Sequence, residues 1–281
     1  MREIEELFQT IFKKTSWTID KPAGGLRKEK YIVSDATTSY FIKFDINTEI
    51  LVHIAGIGLT PKVLHTGQCG GRTFAIQEFV AGSKPSKEWI RINGAIVFDL
   101  IKRYQADAGL KNLLAAFYPE QQNHENYLTN EVERIDQRLR NLNDSRYKQA
   151  SFITSYKKFI SMKDEIKLSQ LIPVHEEPNN SNFLLSGKRL YIVDWDDVRL
   201  GDPIHDIGPI LWWYFPITDW EIHLERLGVE LNDMLFRKVY WFAARSSLEA
   251  SLFFSENGYD TDRGFLNDFI EAVHLRPNPR S

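Results

Sequence analysis

The chain has 281 residues, enough for one large domain or two lobes around full hydrophobic cores. With 43% hydrophobic and 26% charged residues, its composition is that of a globular protein, which excludes long disordered or coiled-coil regions. A net charge of −3 provides no overall attraction to nucleic acid or to an anionic membrane, so neither is expected as a partner.

The first predicted element is an amphipathic helix at the N-terminus. Ile4, Leu7, Phe8, Ile11 and Phe12 recur at helical spacing among charged residues. A signal peptide would need an unbroken apolar stretch, and a membrane span would need about 18 consecutive apolar residues, which the sequence does not contain. We therefore expect a surface helix and a cytoplasmic protein that does not contact a membrane.

The next segment predicts an antiparallel sheet that carries one helix. Residues 17–45 indicate three short strands, and T-E-I-L-V-H-I-A indicates a helix that ends at Gly56 or Gly58. Two more strands follow, on either side of the turn Q-C-G-G. The only cysteine, Cys69, lies in that turn, so an intramolecular disulfide is excluded and a reducing compartment is indicated.

Helical sequence dominates from Lys84 onward. Helical periodicity covers about 94–114, 130–160, 207–214, 231–256 and 262–274. Three short strand-like segments interrupt it, I-P-V-H, F-L-L and L-Y-I-V-D, the last two joined by the turn S-G-K. The change of composition at Val80–Ser86 predicts a hinge, so we expect an α+β protein with a sheet domain at 1–80 and a mainly helical domain at 81–281.

A dense polar cluster, H-E-E-P-N-N-S-N, lies between the apolar segments L-I-P-V and F-L-L. Within it, His175, Glu177 and Asn182 form the spacing H-x-E-x-x-x-x-N, and the following hairpin leads to Asp194 in V-D-W-D. An asparagine and an aspartate on neighbouring strand ends are oxygen ligands that Mg²⁺ takes when it also binds nucleotide phosphates. Upstream, Lys43 follows a Gly-Gly turn and lies on a strand, where its ammonium group could reach those phosphates.

Together these motifs resemble the aminoglycoside phosphotransferase and choline kinase family, which has the bilobal protein-kinase-like fold. The resemblance runs from A-G-G-L-R-K-E-K-Y-I-V to W-F-A-A-R-S-S-L-E-A. Its most specific part is H-E-E-P-N-N-S-N-F-L-L followed by Y-I-V-D-W-D-D-V-R-L-G-D-P-I-H-D-I-G. These segments are similar to the family's catalytic loop, metal-binding segment and G-D-P-x-x-D motif. The resemblance implies a nucleotide-binding sheet lobe at 1–80 and a catalytic and substrate-binding helical lobe at 81–281.

The resemblance also implies a binding site for ATP and Mg²⁺. Asn182 and Asp194 would hold the metal ion. Lys43 would contact the nucleotide phosphates, with Glu49 of the sheet lobe's helix as its ion-pair partner.

Further nucleotide contacts are implied at two other places. Backbone groups from Glu78 to Val80 would bind adenine at the hinge. The turn formed by Gly24 and Gly25 would cover the phosphates, although it lacks the complete G-x-G-x-x-G of protein kinases.

The sequence departs from the family pattern at the catalytic base. The family has an aspartate two residues after the histidine, and this chain has Glu177, whose extra methylene moves the carboxylate by about 1.5 Å. Misplacement on this scale can cost about 10²-fold in rate, so we expect slower or altered catalysis. His175 would orient the catalytic loop. Glu176 offers another carboxylate, which alternation along an extended loop would point elsewhere.

The acceptor is indicated only by the tract D-I-G-P-I-L-W-W-Y-F-P-I-T-D-W-E. The rings of Trp212 and Trp213, close to carboxylates, could receive a cationic amine, and Trp241 on a later helix is a third candidate. The alternative is that these rings are helix core. Asp206, which matches the family's second acidic motif and would brace the catalytic loop, completes this candidate acceptor-binding set.

We therefore expect an enzyme that transfers the γ-phosphoryl group of ATP to a hydroxyl group of a small molecule such as an aminosugar or amino-alcohol. The direct run from Asp194 to Gly201 leaves no long activation segment, which disfavours a protein substrate. The alternative is a nucleotide-binding protein of the same fold with impaired transfer, acting as a sensor or scaffold, which Glu177 supports. Either protein would be a monomer or a homodimer.

Overall fold

The computed structural model describes residues 1–22, 29–122, 125–259, 262 and 264–275. In chain order its helices and strands are α1 (Arg2–Phe12), β1 (Thr18–Asp20), β2 (Lys30–Ser34), β3 (Ser39–Phe44), α2 (Thr48–Gly56), β4 (Val63–Cys69), β5 (Arg72–Glu78), α3 (Lys87–Ile92), α4 (Gly94–Gln105), α5 (Ala108–Phe117), α6 (Tyr127–Asn141), α7 (Ala150–Lys163), β6 (Ile172–Val174), β7 (Phe183–Ser186), β8 (Arg189–Ile192), β9 (Arg199–Gly201), α8 (Ile204–Tyr214), α9 (Trp220–Leu227), α10 (Asp233–Glu256) and α11 (Phe265–His274). None of the helices within these ranges is both long enough and apolar enough to cross a membrane.

The chain divides into two compact units. The first unit comprises Met1–Pro85 and Ser181–Asp196, and the second comprises Ser86–Asn180 and Asp197–Ser281. The division differs from the predicted domains 1–80 and 81–281 because the β7–β8 hairpin belongs to the first unit. Backbone hydrogen bonds hold it there: Ser83 and Leu185 exchange two, of 3.0 and 2.9 Å, and the amide of Ile192 donates to the carbonyl of Leu59.

The first unit contains the predicted five-stranded antiparallel sheet. Its strands lie in the order β1-β2-β3-β5-β4, and all neighbouring strands are antiparallel. Helix α1 packs its apolar stripe on this sheet, with Phe8 fully buried against side chains that include Val33, Ile42 and Ile76. Alternating apolar residues give the sheet one apolar face, and apolar residues at helical spacing give α1 another. The two faces are therefore expected to pack together.

The second unit is mainly helical, as predicted, but the helices predicted at 94–114 and 130–160 are each divided into two helices. The predicted helix at 94–114 is two helices, α4 and α5, because the side chain of Asp107 accepts a hydrogen bond of 2.6 Å from the amide of Leu110 and begins a new helix. Helix α10 forms the core of the unit and packs against α7, α8 and α11. The contact between α8 and α10 is close at Gly208.

Gly208 provides a test of this packing. A Cβ atom there would lie 2.9 Å from the carbonyl oxygen of Val239 and 3.1 Å from the Cβ atom of Phe242. We expect Gly208→Ala to lower the free energy of unfolding by about 1–3 kcal/mol, because backbone atoms must move to admit the methyl group. The matched control is Gly56→Ala, since a Cβ atom at this helical glycine would meet nothing within 4 Å. Urea unfolding should leave the control unchanged or stabilised by up to about 1 kcal/mol. Equal effects of the two substitutions would contradict close α8–α10 packing.

Candidate active site

The hairpin of the first unit brings together the two predicted metal ligands. Residues Phe183 and Ile192 are paired across β7 and β8, so Asn182 and Val193 lie opposite each other one step further along. The amide of Val193 donates a hydrogen bond of 2.8 Å to the carbonyl oxygen of Asn182. Asp194 is the next residue, so Asn182 and Asp194 lie at the same end of one hairpin.

Lys43 lies at this end of the hairpin as well. Its ammonium nitrogen is 2.6 Å from a carboxylate oxygen of Asp194 and 2.7 Å from one of Asp196. The lysine side chain is almost completely buried, whereas the Asp194 side chain is 38% exposed. Asp196 is not among the site residues predicted from the sequence. The pattern D-W-D could have indicated a second carboxylate at the site, because a buried Trp195 anchors the segment and leaves an aspartate on each side.

The backbone of Asp194 has an unusual conformation. Its φ of 67° is in the left-handed region, which costs a residue other than glycine about 1–2 kcal/mol. Among the described residues, positive φ at a residue other than glycine occurs at Lys13, Asp45, Glu176 and Asp194. Glu176 belongs to the polar cluster H-E-E-P-N-N-S-N, and Asp194 belongs to V-D-W-D. Backbone strain of this kind is often found at functional sites.

The donor atoms in this part of the first unit fit a magnesium ion. Asn182 offers an amide oxygen, and Asp194 and Asp196 offer carboxylate oxygens. Hard oxygen ligands of this kind bind Mg²⁺ through one or two carboxylates, with the remaining positions left for water and phosphate oxygens. The exposed face of Asp194 leaves room for such partners.

The other predicted nucleotide contacts differ in how far the structure supports them. Among the described residues, Lys43 pairs with aspartates, and Glu49, its predicted partner, is exposed on α2. Glu78 ends β5, and its amide donates to the carbonyl of Lys62 at 2.9 Å. Val80 makes no hydrogen bond within the part of the chain that the structure describes, so its peptide group is available to a ligand.

The predicted phosphate-covering turn, Gly24 and Gly25, lies outside the described residues. Its assignment therefore stays a prediction.

In the second unit, Asp206 holds the backbone of the polar loop. Its carboxylate accepts hydrogen bonds from the amides of His175 at 2.7 Å and Glu176 at 3.0 Å, and from the hydroxyl of Tyr104 at 2.7 Å. The side chain is fully buried. Asp206 is therefore a brace for the loop, and its inclusion among acceptor-binding residues was wrong because no part of the carboxylate is exposed.

The same loop is held again at Asn180. The amide of Asn180 donates to the hydroxyl of Tyr214 at 2.9 Å, and this hydroxyl donates back to the side-chain oxygen of Asn180 at 3.1 Å. Burial raises the pKa of Tyr214 to about 12, so the hydroxyl remains a donor at neutral pH. His175 is buried, and its Nδ1 accepts a hydrogen bond of 3.4 Å from the amide of Glu177. Glu177 itself is exposed between these two anchored points.

The predicted aromatic acceptor residues do not share one environment. Trp241 has no exposed surface, stacks on Phe159 with ring centroids 5.0 Å apart, and donates its indole N–H to the carbonyl of Phe159. It is therefore a core residue, and its assignment to the acceptor site was wrong because α10 is buried on that side. Trp212 and Trp213 are partly exposed, and Trp213 donates to the hydroxyl of Ser247 at 3.1 Å. Their role in acceptor binding stays a prediction.

Glu176 points into the second unit and joins a buried cluster of charges. Donor atoms of Glu131, Glu176 and His205 lie within 4.8 Å of one another, a spacing that a metal ion could also use. The guanidinium groups of Arg199 and Arg245 already pair with both carboxylates. Arg134 also pairs with both carboxylates. Three guanidinium groups at these oxygens disfavour a metal ion in the same place, so we interpret the cluster as an ion-pair network.

The network predicts a specific pH dependence of stability. Burial raises the pKa of Glu176, but Arg199, His205 and Arg134 outweigh it and hold the pKa well below its usual range. The unfolded chain binds a proton at Glu176 below a pH of about 4.3, whereas the folded chain does not. The stabilisation is therefore complete above that pH and decreases as the pH falls, by up to about 1.4 kcal/mol per pH unit.

The measurement is urea unfolding of the wild type and Glu176→Gln at pH 7 and pH 3.5. We expect the difference in unfolding free energy between the two proteins to be smaller at pH 3.5, because only the wild type loses the interaction of a charged Glu176. A difference that stays constant with pH would show that the carboxylate is not held in its charged form.

Solved structures of other proteins have the same fold as this chain. Choline kinase LicA from Streptococcus pneumoniae superposes with a TM-score of 0.69 at 15% sequence identity, covering 97% of this chain and 96% of the other. A choline/ethanolamine kinase family protein from Mesorhizobium loti gives a TM-score of 0.67 at 19% identity, over 98% and 95% of the two chains. These likenesses confirm the predicted fold class.

Other structures with this fold include a thermostable mutant of aminoglycoside phosphotransferase APH(4)-Ia in a ternary complex with ADP and hygromycin B. It superposes with a TM-score of 0.62 at 13% identity, over 96% of this chain and 97% of the other. The amino-acid sequence itself matches the phosphotransferase enzyme family over residues 19–240. Since this match covers most of the chain, the protein belongs to the phosphotransferase enzyme family.

Proposed function

We propose that this protein is an ATP-dependent phosphotransferase that acts on a hydroxyl group of a small molecule. The observation that carries the proposal is the set formed in the first unit by Lys43, Asn182, Asp194 and Asp196, an ammonium group and oxygen donors at one end of a hairpin. This set matches the needs of a Mg²⁺-bound nucleoside triphosphate, whose phosphates require a cation and whose metal ion requires carboxylate or amide oxygens.

Each residue has a defined part in the proposed reaction. Lys43 binds a phosphate oxygen, while Asn182 and Asp194 hold Mg²⁺, with Asp196 as a further ligand. When bound, the metal ion neutralises the charge that develops on the phosphate oxygens. Glu177 orients the acceptor hydroxyl and takes its proton as the new P–O bond forms. The bond from the γ-phosphorus to the bridging oxygen breaks, and ADP leaves.

The adenine contact is proposed at the end of β5. Val80 follows this strand, and its peptide group is unused by the rest of the described chain. Structural neighbours bind adenine nucleotides, since one LicA structure contains AMP and one APH(4)-Ia structure contains ADP. These complexes support a purine nucleotide as the phosphoryl donor.

Two observations support the proposed acceptor class, the named substrates of the structural neighbours and the partly exposed tryptophans. A choline kinase and an aminoglycoside phosphotransferase with bound hygromycin B have the same fold. Trp212 and Trp213 are partly exposed, and tryptophan rings are of the type that attracts cationic amines. We therefore propose a cationic amino-alcohol or aminosugar as the acceptor.

The test is ADP release from MgATP in the presence of choline, ethanolamine, hygromycin B and further aminoglycosides, with uncharged sugars and glycerol as controls. Acceptor-dependent ADP release that disappears on addition of EDTA is the expected result. Calorimetry measures ATP binding in parallel. Binding of MgATP without phosphorylation of any acceptor would overturn the proposal and favour a nucleotide-binding sensor or scaffold.

A further inference from the structure

Glu176 is an unusual residue for its backbone position. It lies between His175 and Glu177 with a φ of 84°, in the region that glycine adopts without strain and other residues rarely adopt. A glycine would fit this backbone equally well, so the conformation alone does not explain a glutamate. The side chain is 6% exposed, which means that its carboxylate is buried beside the loop that carries Glu177.

The carboxylate of Glu176 is held from four directions. Arg134 of α6 lies 2.8 Å from one carboxylate oxygen, and Arg245 of α10 pairs with the same oxygen. Arg199 of β9 lies 2.7 Å from the other oxygen, and His205 of α8 lies 3.0 Å from it. Because these partners come from three helices and a strand, the position of the carboxylate is fixed by the core of the second unit.

A second carboxylate shares the same cations but lies outside the loop. Glu131 of α6 is 2.7 Å from Arg199, 2.8 Å from Arg245 and 3.1 Å from Arg134. Its side chain is 2% exposed, so Glu131 and Glu176 are similar in burial and in partners. They differ in that Glu176 also contacts His205 and that only Glu176 is attached to the His175–Asn180 loop.

The backbone at Glu176 is fixed as well as the side chain. The amides of His175 and Glu176 donate to the two carboxylate oxygens of Asp206, at 2.7 and 3.0 Å. With both the amide and the side chain anchored, the peptide that follows Glu176 has one orientation. That peptide sets the direction in which the side chain of Glu177 leaves the loop.

We propose that Glu176 is a positioning residue for Glu177. Its buried carboxylate anchors the strained turn and so fixes the direction of the catalytic side chain. This inference rests on the proposed function, because it assigns Glu176 a role in the step that Glu177 carries out. It also explains the glutamate: the side chain supplies an anchor to the core that glycine would lack.

The test compares Glu176→Gln with the matched control Glu131→Gln. Both substitutions remove one carboxylate from the same three arginines, so both should lower the melting temperature by similar amounts. We expect Glu176→Gln to lower kcat about tenfold at an unchanged KM for ATP, because misplaced groups reduce rate more than binding. Glu131→Gln should keep kcat within about threefold of the wild type. The probe is MgATP turnover with the best acceptor of the panel, or with water where no acceptor is found.

A second variant and a second readout separate positioning from general stability. Glu176→Gly adopts the turn without strain and should fold, but it should share the loss of kcat because it lacks the anchor. Hydrogen exchange of the peptide covering 172–180 should accelerate in both Glu176 variants and not in Glu131→Gln. This readout is independent of catalysis.

The outcomes distinguish this inference from the proposed function. If the wild type turns over MgATP and Glu176→Gln behaves like Glu131→Gln in kcat and exchange, the positioning role is overturned and the phosphotransferase stands. Full activity of Glu176→Gly would overturn it too. If the wild type transfers phosphate neither to an acceptor nor to water, the proposed function fails and the positioning role fails with it.

Discussion

Replacing Asp194 with asparagine is expected to lower Mg²⁺-dependent phosphoryl transfer by about 10³-fold while the fold stays intact. The substitution removes the negative charge at the exposed end of the hairpin, where Lys43 and Asp196 remain. A loss of about 10³-fold corresponds to about 4 kcal/mol of activation free energy, within the several kcal/mol that a metal ion contributes at a transferring phosphoryl group. Asparagine has nearly the size of aspartate and tolerates the left-handed backbone, so unfolding should be little affected.

The chain offers a matched control for this substitution in Asp45. It belongs to the same unit, has a φ of 56°, and pairs with Arg72 at 2.7 Å, so it combines a left-handed aspartate with a cationic partner as Asp194 does. Asp45→Asn should keep turnover within about twofold of the wild type, as expected for an exposed ion pair that includes none of the proposed site residues.

Calorimetry completes the experiment. Titration of MgATP should show weaker binding to Asp194→Asn than to Asp45→Asn, and in the absence of metal the two variants should bind ATP alike. Turnover of Asp194→Asn equal to that of the control would remove Asp194 from the proposed metal site.

The sequence predicted that Asn182 and Asp194, the proposed metal ligands, lie at one end of a hairpin, because a hairpin register is a local property. The turn S-G-K fixes which residues of β7 and β8 face each other, and Gly187 at the turn has the positive φ that such a connection requires. Asn182 and Asp194 therefore lie at the same end of the hairpin, and this position does not depend on the tertiary fold. Lys43 was predicted near the same phosphates from its strand position after the Gly-Gly turn and from the family resemblance. Its contact with Asp194 depends on tertiary structure, because no local rule brings together residues so far apart in sequence.

The errors in the acceptor site have one physical cause. Helical periodicity shows that residues share a face, but it does not show whether that face meets solvent or another helix. Trp241 lies on a helix that packs against α7, α8 and α11, so its ring is buried. Asp206 was assigned both a bracing and an acceptor role, and only burial, which depends on tertiary packing, decides between them.

Glu176 shows the limit of reasoning from strand alternation. Alternation along an extended loop predicts that Glu176 and Glu177 point in opposite directions. The structure agrees with this prediction, since Glu176 is buried and Glu177 is exposed. The φ of 84° places the Glu176 carboxylate among three arginines and His205, and these four partners belong to α6, β9, α10 and α8, which are distant in sequence. A pattern confined to eight residues contains no information about them.

Substitutions of Glu177 are expected to separate its chemistry from its placement. Glu177→Gln keeps the length of the side chain and removes its basicity, which should lower kcat by about 10²-fold, the lower end of the contribution of a general base. Glu177→Asp keeps the basicity and withdraws the carboxylate by about 1.5 Å, roughly one C–C bond, which should also cost about 10²-fold if the loop is built for glutamate. Neither substitution should change the KM for ATP, because the proposed nucleotide contacts are made by other residues.

The control for this pair is Glu49→Gln. Glu49 is an exposed glutamate of α2, and Lys43 pairs with Asp194 and Asp196 among the described residues, so its substitution should leave kcat within about twofold. A large loss in Glu49→Gln would support the ion pair with Lys43 that the family resemblance implies.

The direction of the Glu177→Asp effect decides between the two functional hypotheses. His175, Glu176 and Asn180 anchor the loop on both sides of Glu177, so the backbone has little freedom to compensate for a shorter side chain. A loss of activity would show that this rigid loop places a glutamate productively. A gain of activity would show that the loop places its backbone for an aspartate and that the natural residue holds the carboxylate too far forward. In that case the wild-type protein would be a nucleotide-binding member of the family with impaired transfer.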